Sequence, residues 1–266
     1  MQMIPFYKYQ GTGNDFILVD NREKGFPTQD YEHIRKLCHR RFGIGADGLM
    51  VLEHAENADF HMLYYNSDGL PGTMCGNGGR CIVAFAHFLG LFDTHCSFLA
   101  PDGLHEAEWS VKDGQDWVAL GMSPVKGIEE FGEDLVLDTG SPHYVKRVEQ
   151  LDELDVRTEG KAIRNSNPFQ ANGINVNFVQ EKQGSFYLRT YERGVEDETY
   201  ACGTGTVATA LALNHWGIIK GGQGIFQVKG GTLEVKFNRI AEGEYDQIEL
   251  IGPAKMVFKG KLPDHV

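Results

Sequence analysis

The sequence predicts an α/β (α+β) protein of two pseudo-symmetric domains. Each is a mostly antiparallel sheet or barrel wrapped around one central buried helix, with the active site in the cleft between them. Three observations lead there. Short apolar and β-branched stretches, separated by turn residues, fill most of the chain. Two stretches of helical length, Cys81–Leu89 and Val207–Trp216, leave almost no polar face, and a helix apolar all round is a buried helix. A motif is also repeated: Cys75-Gly-Asn-Gly-Gly-Arg precedes the first of these stretches and Cys202-Gly-Thr-Gly-Thr the second, and the stretches end in Gly90 and Gly217.

Taken in order, the first half offers strands at Ile4–Tyr9, Phe16–Asp20, Leu49–Glu53, Phe60–Tyr65, Cys96–Ala100, Leu104–Val111 and Trp117–Leu120. The second half offers Leu135–Asp138, Tyr144–Val148, Val176–Gln180, Phe186–Tyr191, Ile225–Lys229, Thr232–Phe237, Gln247–Leu250 and Lys255–Lys259. A surface helix is expected over Thr28–His39, capped by Thr28, with Tyr31, Ile34, Leu37 and Cys38 on its inner face. Too few other helices exist to cover the two apolar ones, so sheets must surround them.

The repeat extends beyond the cysteines. Phe60-His-Met-Leu-Tyr-Tyr-Asn resembles Phe186-Tyr-Leu-Arg-Thr-Tyr-Glu, and Phe98-Leu-Ala-Pro-Asp-Gly resembles Phe226-Gln-Val-Lys-Gly-Gly. Asn14-Asp-Phe-Ile-Leu-Val and Asn175-Val-Asn-Phe-Val-Gln form a weaker pair. The boundary is placed near Gly121-Met-Ser-Pro, giving halves 1–121 and 122–252, with the last strand, about 253–266, allowed to pack with the first half.

Composition narrows the function. A net charge of −12 with no basic run argues against a nucleic-acid surface. The longest apolar run, Cys81–Phe92, is interrupted by His87 and too short to span a bilayer. No signal peptide is expected from the opening residues, and five dispersed cysteines read as free thiols in a reducing, cytoplasmic setting.

Two thiols at duplicated helix starts carry the chemistry. Racemising a carbon needs one group to take a proton from one face and another to return it from the opposite face. A helix N-terminus stabilises an anion by up to ~2 kcal/mol, about 1.5 pKa units, which moves a thiol from about 8.5 toward neutrality. Two thiols facing one site cannot both ionise cheaply, so one is base while the other is acid. A single such motif reads as a small buried cysteine in a glycine-rich turn; the matched pair reads as a site. Cys38, Cys81 and Cys96 read as inert core residues. His33, Cys38 and His39 lack paired zinc-ligand spacing, and Gly11-Thr-Gly-Asn is a poor phosphate loop because a strand follows it.

Gly11-Thr-Gly-Asn-Asp-Phe, Gly43-Ile-Gly-Ala-Asp-Gly, Asn66-Ser-Asp-Gly, Cys75-Gly-Asn-Gly-Gly-Arg-Cys, Tyr191-Glu-Arg-Gly and Ala201-Cys-Gly-Thr-Gly-Thr together resemble diaminopimelate epimerase. Single motifs are shared with proline racemase and hydroxyproline epimerase, which usually carry histidine where this chain has Asn77. The resemblance implies a cytoplasmic isomerase that interconverts LL- and meso-2,6-diaminopimelate for lysine and peptidoglycan synthesis, with no cofactor and no metal. Its partner would be the small-molecule substrate, with no nucleic acid or membrane, and a homodimer is compatible with it. By the same resemblance Cys75 and Cys202 are the acid–base pair, supported by His143 and Glu192. The N–H groups of Gly76, Asn77, Gly203 and Thr204 hold the carboxylate at the reacting centre. Asn14, Asn66, Asn175, Glu192 and Arg193 bind the substrate's amino and carboxylate groups, chiefly at the distal centre, with Ser141 a further contact. A guanidinium forks onto a carboxylate, a carboxylate pairs with an ammonium, and amides serve either.

Read without the resemblance, the asparagines are turn residues, Glu192 and Arg193 a solvated strand end, and His143 structural. Two positions depart from the family: Ser141 stands where asparagine is common, and Gly48 where glutamine is common. Serine replaces one hydrogen bond of an amide, and Gly48 replaces none. The rival readings are a cofactor-independent racemase for a cyclic amino acid, a dithiol redox protein, disfavoured without Cys-X-X-Cys, and a non-catalytic binder that would have little use for both thiols.

Overall fold

The computed structural model describes residues 3–262. Residues 1–2 and 263–266, which the sequence-derived halves include, lie outside the described residues. The chain divides into two compact units, one up to Leu120 and again from Gly252, the other Gly121–Ile251.

In the first unit β1 (Pro5–Gly11) and β2 (Asn14–Asp20) form a hairpin. Its two-residue turn has φ 51° at Thr12 and 89° at Gly13, the left-handed pair that matches strand twist. Helix α1 (Tyr31–Cys38) crosses to β3 (Gly48–Glu53), which lies parallel to β2, and β4 (Phe60–Asn66) pairs antiparallel with β3. Helix α2 (Gly76–Phe88) crosses to β5 (His95–Ala100), parallel to β4. The antiparallel strands β6 (Gly103–Lys112) and β7 (Gln115–Met122) follow.

The second unit repeats this order after the short strands β8 (Val125–Lys126) and β9 (Glu129–Phe131). The hairpin is β10 (Asp134–Asp138) with β11 (Pro142–Arg147). A 3-10 turn at Leu151–Glu153 and α3 (Val156–Arg164) lead to β12 (Asn175–Lys182), parallel to β11, and β13 (Ser185–Glu192) is antiparallel to β12. After β14 (Asp197–Thr199), α4 (Gly203–His215) crosses to β15 (Gln223–Val228), parallel to β13. Antiparallel β16 (Gly231–Ala241) and β17 (Glu244–Lys261) follow. The near part of β17 pairs with β16, and residues Lys255–Lys261 pair with β1.

The repeats expected from sequence fall on equivalent strands. Phe60 is in parallel register with Phe98, and Phe186 with Phe226. The rings stack at 5.0 Å and 5.6 Å between centroids. The weaker pair is a correction. Asn14 opens β2, the first strand of a parallel pair, whereas Asn175 opens β12, the second of one. Register makes Gly48 the counterpart of Asn175, because Phe16 aligns with Gly48 and His143 with Asn175. Asn14 then corresponds to Ser141, each two residues earlier.

Each unit has a helix on either face of its sheet. Helix α4 is buried with Leu135, Leu188, Phe226, Val235 and Leu250 around it, and α2 is buried from Gly76 to Ala86. On the opposite faces α1 covers Ile17, Val19, Leu49 and Val51, and α3 covers Tyr144, Val176, Phe178 and Tyr191. Phe16 to Val19 are therefore all buried, since a strand covered on both faces needs apolar residues at every position.

Four details differ from the sequence reading. Helix α1 starts at Tyr31, because the Asp30 carboxylate, not Thr28, accepts from the His33 N–H. Tyr31 itself is exposed. The two last predicted strands are one strand running through Gly252-Pro253. Helix α3 was not expected: charged residues surround its few apolar ones, and Gly160, a poor helix former, is there because the Tyr191 side chain would meet any Cβ, with its own Cβ at 2.4 Å and ring Cγ at 2.5 Å.

Candidate active site

Cys75 and Cys202 occupy the same local geometry. Each is the residue that begins a buried helix, with φ −114°, ψ 126° and φ −120°, ψ 114° respectively. The Cys75 carbonyl accepts from Gly79 N–H at 2.7 Å, and the Cys202 carbonyl from Thr206 N–H at 2.9 Å. The first-turn N–H groups, of Gly76 and Asn77 in one helix and Gly203 and Thr204 in the other, have no acceptor within their own helix and point toward the sulfur end. Anions are stabilised there by the aligned peptide dipoles. Each helix also ends alike, at left-handed Gly90 and Gly217.

In the second unit a hydrogen-bond chain leads to Cys202. Asn177 donates through Nδ2 to the Tyr144 carbonyl at 3.1 Å and to His143 Nδ1 at 3.0 Å, and its Oδ1 accepts from Thr190 at 2.9 Å. That network assigns the proton of neutral His143 to Nε2. Nε2 lies 3.0 Å from both Ser141 Oγ and Thr204 Oγ1, and Thr204 Oγ1 lies 3.5 Å from Cys202 Sγ. Burial pushes the His143 pKa down to about 3, with Arg193 adding to it, so the imidazole is neutral at physiological pH. Gly205 is required here: a Cβ would stand 2.4 Å from Asn177 Oδ1.

Asn175 and Arg193 join this cluster. The Asn175 amide donates to Ser141 Oγ at 3.3 Å and to the Pro142 carbonyl at 3.2 Å, while its oxygen accepts the Arg193 N–H at 2.9 Å. The Arg193 guanidinium donates to the Asn172 carbonyl at 3.2 Å. Glu192 ends β13 just before it, opposite Asp197 of β14.

In the first unit the partners of Cys75 come from the β1–β2 hairpin. Asn14 Oδ1 is 3.7 Å from Cys75 Sγ and accepts from Asn77 Nδ2 at 3.3 Å. The Asn14 amide nitrogen donates to Asp47. Arg40 bridges Asp47 and Asp15 at 2.6 Å each, and Lys8 meets Asp15 at 2.6 Å. Burial works against the Asp15 charge, but Arg40 and Lys8 outweigh it and hold the carboxyl at about 2. The amide of Asn14 is thus fixed with its oxygen toward the thiol.

Asn66 closes a turn with its backbone, accepting from Gly69 N–H at 2.9 Å, while its side chain is exposed at the end of β4. Gly48 lies opposite it in β3. The place of the missing side chain is filled: a Cβ at Gly48 would meet Tyr64 Cε2 at 2.6 Å, the Tyr64 hydroxyl at 2.9 Å and the Tyr65 carbonyl at 2.7 Å. A phenol therefore stands where the family commonly has glutamine.

The structure thus brings Asn14, Cys75 and Asn77 together in one unit, and Ser141, His143, Asn175, Cys202 and Thr204 in the other. Asn66 and Glu192 sit at strand ends. Asn177, Tyr64 and Asp47 were missed from sequence. Only Asn177 left a signal there, as a polar residue at an inward position of the apolar run Val176-Asn-Phe-Val. Cys38, Cys81 and Cys96 are free thiols in the core, each pushed up to about 12 by burial. No three His, Cys, Asp or Glu residues cluster as metal ligands among the described residues, and no helix among them is long and apolar enough to cross a membrane.

Solved structures share this fold. A phenazine biosynthesis protein of the PhzF family from Bacillus anthracis superposes with TM-score 0.74 at 14% identity, covering 99% of this chain and 100% of that one. A hydroxyproline epimerase from Agrobacterium vitis does so with TM-score 0.69 at 15% identity, covering 98% and 92%. Sequence goes further. The diaminopimelate epimerase profile matches residues 6–127 and 135–257. A diaminopimelate epimerase of Flavobacterium psychrophilum is 49% identical over 254 residues, 95% of this chain and 98% of the relative. One of Chlorobaculum tepidum is 46% identical over 264 residues, with the same coverage. The protein is an isomerase, and the chain belongs to the diaminopimelate epimerase family.

Proposed function

We propose that the protein interconverts LL- and meso-2,6-diaminopimelate by two-base proton transfer between Cys75, Cys202 and one α-carbon, without pyridoxal phosphate, in lysine and peptidoglycan synthesis. The observation that carries the reading is the pair of cysteines in one backbone geometry at the starts of two buried helices, in a chain of this family. One thiolate takes the α-proton, forming the S–H bond as the C–H bond breaks. The carbanion is held as its carboxylate gains electron density, and the opposite thiol delivers its own proton to the other face. The enzyme ends with the roles of the sulfurs exchanged. First-turn N–H groups of Gly76, Asn77, Gly203 and Thr204 would hold that carboxylate, a preorganised anion site that strengthens as charge develops. Asn14, Asn66, Asn175, Glu192 and Arg193, with Ser141, would hold the distal amino and carboxylate groups, and His143 would act on Cys202 through Thr204.

The reading places the enzyme in the cytoplasm, where glutathione and thioredoxin keep such thiols reduced. The test is direct incubation of the reduced protein with LL-diaminopimelate, meso-diaminopimelate and the proline stereoisomers. Conversion of diaminopimelate alone is expected, and racemisation of proline with diaminopimelate untouched would overturn the substrate.

A further inference from the structure

Arg80, one turn into α2, is fully buried. Its guanidinium donates to the Gly76 carbonyl at 3.2 Å, to Thr12 Oγ1 at 3.1 Å and to Asn77 Oδ1 at 3.0 Å, and its Nε has no acceptor. Every one of these partners is neutral, and no carboxylate pairs with Arg80 among the described residues. A buried charge is normally paired, because removing an ion from water is costly without a counter-ion. Burial lowers the Arg80 pKa only to about 10, so the cation persists at neutral pH.

Two thiols lie near it, Cys81 and Cys75: Arg80 donates to Asn77 Oδ1, the Asn77 amide donates to Asn14 Oδ1, and that oxygen is 3.7 Å from Cys75 Sγ. Burial pushes Cys81 up to about 12, so it stays protonated, and Cys75 is left. Of the other ionisable groups on the elements packed against α2, Glu106 and Glu108 of β6 are exposed. Tyr9 of β1 is held above its ordinary range by burial, with Asp116 of β7, Cys81 and Tyr7 adding to it. Asp15 of β2 is paired to Lys8 and Arg40. From β3 the helix start meets Met50, against Gly78. Thr12 supports the same reading. It sits at φ 51°, a conformation a β-branched residue seldom adopts, and its hydroxyl is one of the three acceptors of the guanidinium.

We propose that Arg80 is a positioning residue for the thiol chemistry: a fixed buried cation whose counter-ion is the Cys75 thiolate, formed whenever that sulfur has given up its proton. The role rests on the two-thiol reading above. It also distinguishes the two sulfurs. The position five residues after Cys202, equivalent to Arg80, is Val207, buried and neutral. Asn14 Oδ1 at 3.7 Å accepts from the protonated Cys75, but a thiol is a weak donor, whereas the cation favours the thiolate.

The test is the pH dependence of iodoacetamide labelling at Cys75, followed by peptide mass spectrometry on the reduced, ligand-free enzyme. Arg80→Met removes the charge, and Thr12→Asp neutralises it with Arg80 in place. Aspartate tolerates the left-handed backbone better than threonine does, and Thr12→Asn is the uncharged control. Both charge-altering variants are expected to raise the Cys75 midpoint by about one pH unit or more, a tenfold loss of thiolate at neutral pH. Arg80→Lys and Thr12→Asn should stay near the parent value. An unchanged midpoint in folded Arg80→Met or Thr12→Asp overturns the role. So does a parent Cys75 midpoint above the ordinary thiol value of about 8.5, which needs no variant to fold. Labelling does not depend on turnover, so failure to epimerise diaminopimelate with these shifts present would sink the substrate and leave the Arg80–Cys75 pairing standing.

Discussion

His143 Nε2 stands 3.0 Å from Thr204 Oγ1, and that hydroxyl stands 3.5 Å from Cys202 Sγ. Because Asn177 donates to the other ring nitrogen, the imidazole offers Nε2–H to the hydroxyl, which leaves the hydroxyl proton for the sulfur. A neutral histidine can therefore favour a thiolate two bonds away without exchanging a proton with it. Thr204→Val keeps the shape and removes the relay. A hydrogen bond to a charged group contributes about 1.5–3 kcal/mol, so kcat/KM should fall roughly 10- to 150-fold, and the Cys202 labelling midpoint should rise. Unchanged values of both would show that the chain does not reach the sulfur.

The buried state of His143 predicts an acid limb in stability. Its folded pKa, about 3, lies below the unfolded value of about 6.5. Between these values the unfolded chain binds the extra proton, so folding stability falls as pH drops from about 6.5 toward 3. His143→Asn should flatten that limb, read as the difference in urea midpoint between pH 4.5 and 7. An equally steep limb in the variant would assign it to other groups.

Gly48 and Tyr64 share one space. Gly48→Ala should destabilise the protein by about 1–3 kcal/mol, as overpacking does, because the nearest atoms include the Tyr65 carbonyl as well as the Tyr64 ring. Restoring the family's common residue as Gly48→Gln should be worse alone than with Tyr64→Ala, which vacates the ring's place. Urea denaturation of the three variants checks the ordering.

The legibility of this chain was uneven for physical reasons. Buried helices α2 and α4 could be read because a helix with no polar face has one environment available to it. The strands equivalent by repeat could be read from Phe60, Phe98, Phe186 and Phe226, since each stacked pair depends on both rings. Helix α3 could not, because its stability comes from packing on Tyr191 rather than from its own charged sequence. Asn14 and Asn175 open similar letter strings, yet they lie on strands of different topological rank. Only register revealed that Asn14 answers Ser141 and Asn175 answers Gly48. Tyr64 was hidden for a related reason: a side chain that fills a neighbour's missing volume leaves no trace at either position alone.

Arg193→Ala would leave a carboxylate at the distal end without its charge-assisted partner. The loss should be on the order of 2–4 kcal/mol in kcat/KM, with Arg193→Lys recovering part of it, since a lysine keeps the charge but not the fork. The same variant leaves the Arg193 backbone N–H on Asn175 in place, so the fold should survive. An unchanged kcat/KM with diaminopimelate would mean the distal group is read elsewhere.

Cys75→Ala and Cys202→Ala should each abolish epimerisation while thermal unfolding stays near that of the parent. Each removes one sulfur and leaves the helix N–H groups proposed to bind the carboxylate. Near-normal turnover by either variant would remove that cysteine from the mechanism.

In the proposed mechanism two sulfurs exchange the α-proton through solvent-equilibrated thiols. The measurement that tests it is epimerisation of each diaminopimelate stereoisomer in heavy water, stopped early and analysed for deuterium in substrate and product separately. One solvent deuteron is expected at the inverted α-carbon of the product, with recovered substrate still carrying hydrogen. Product formed without solvent deuterium would contradict it.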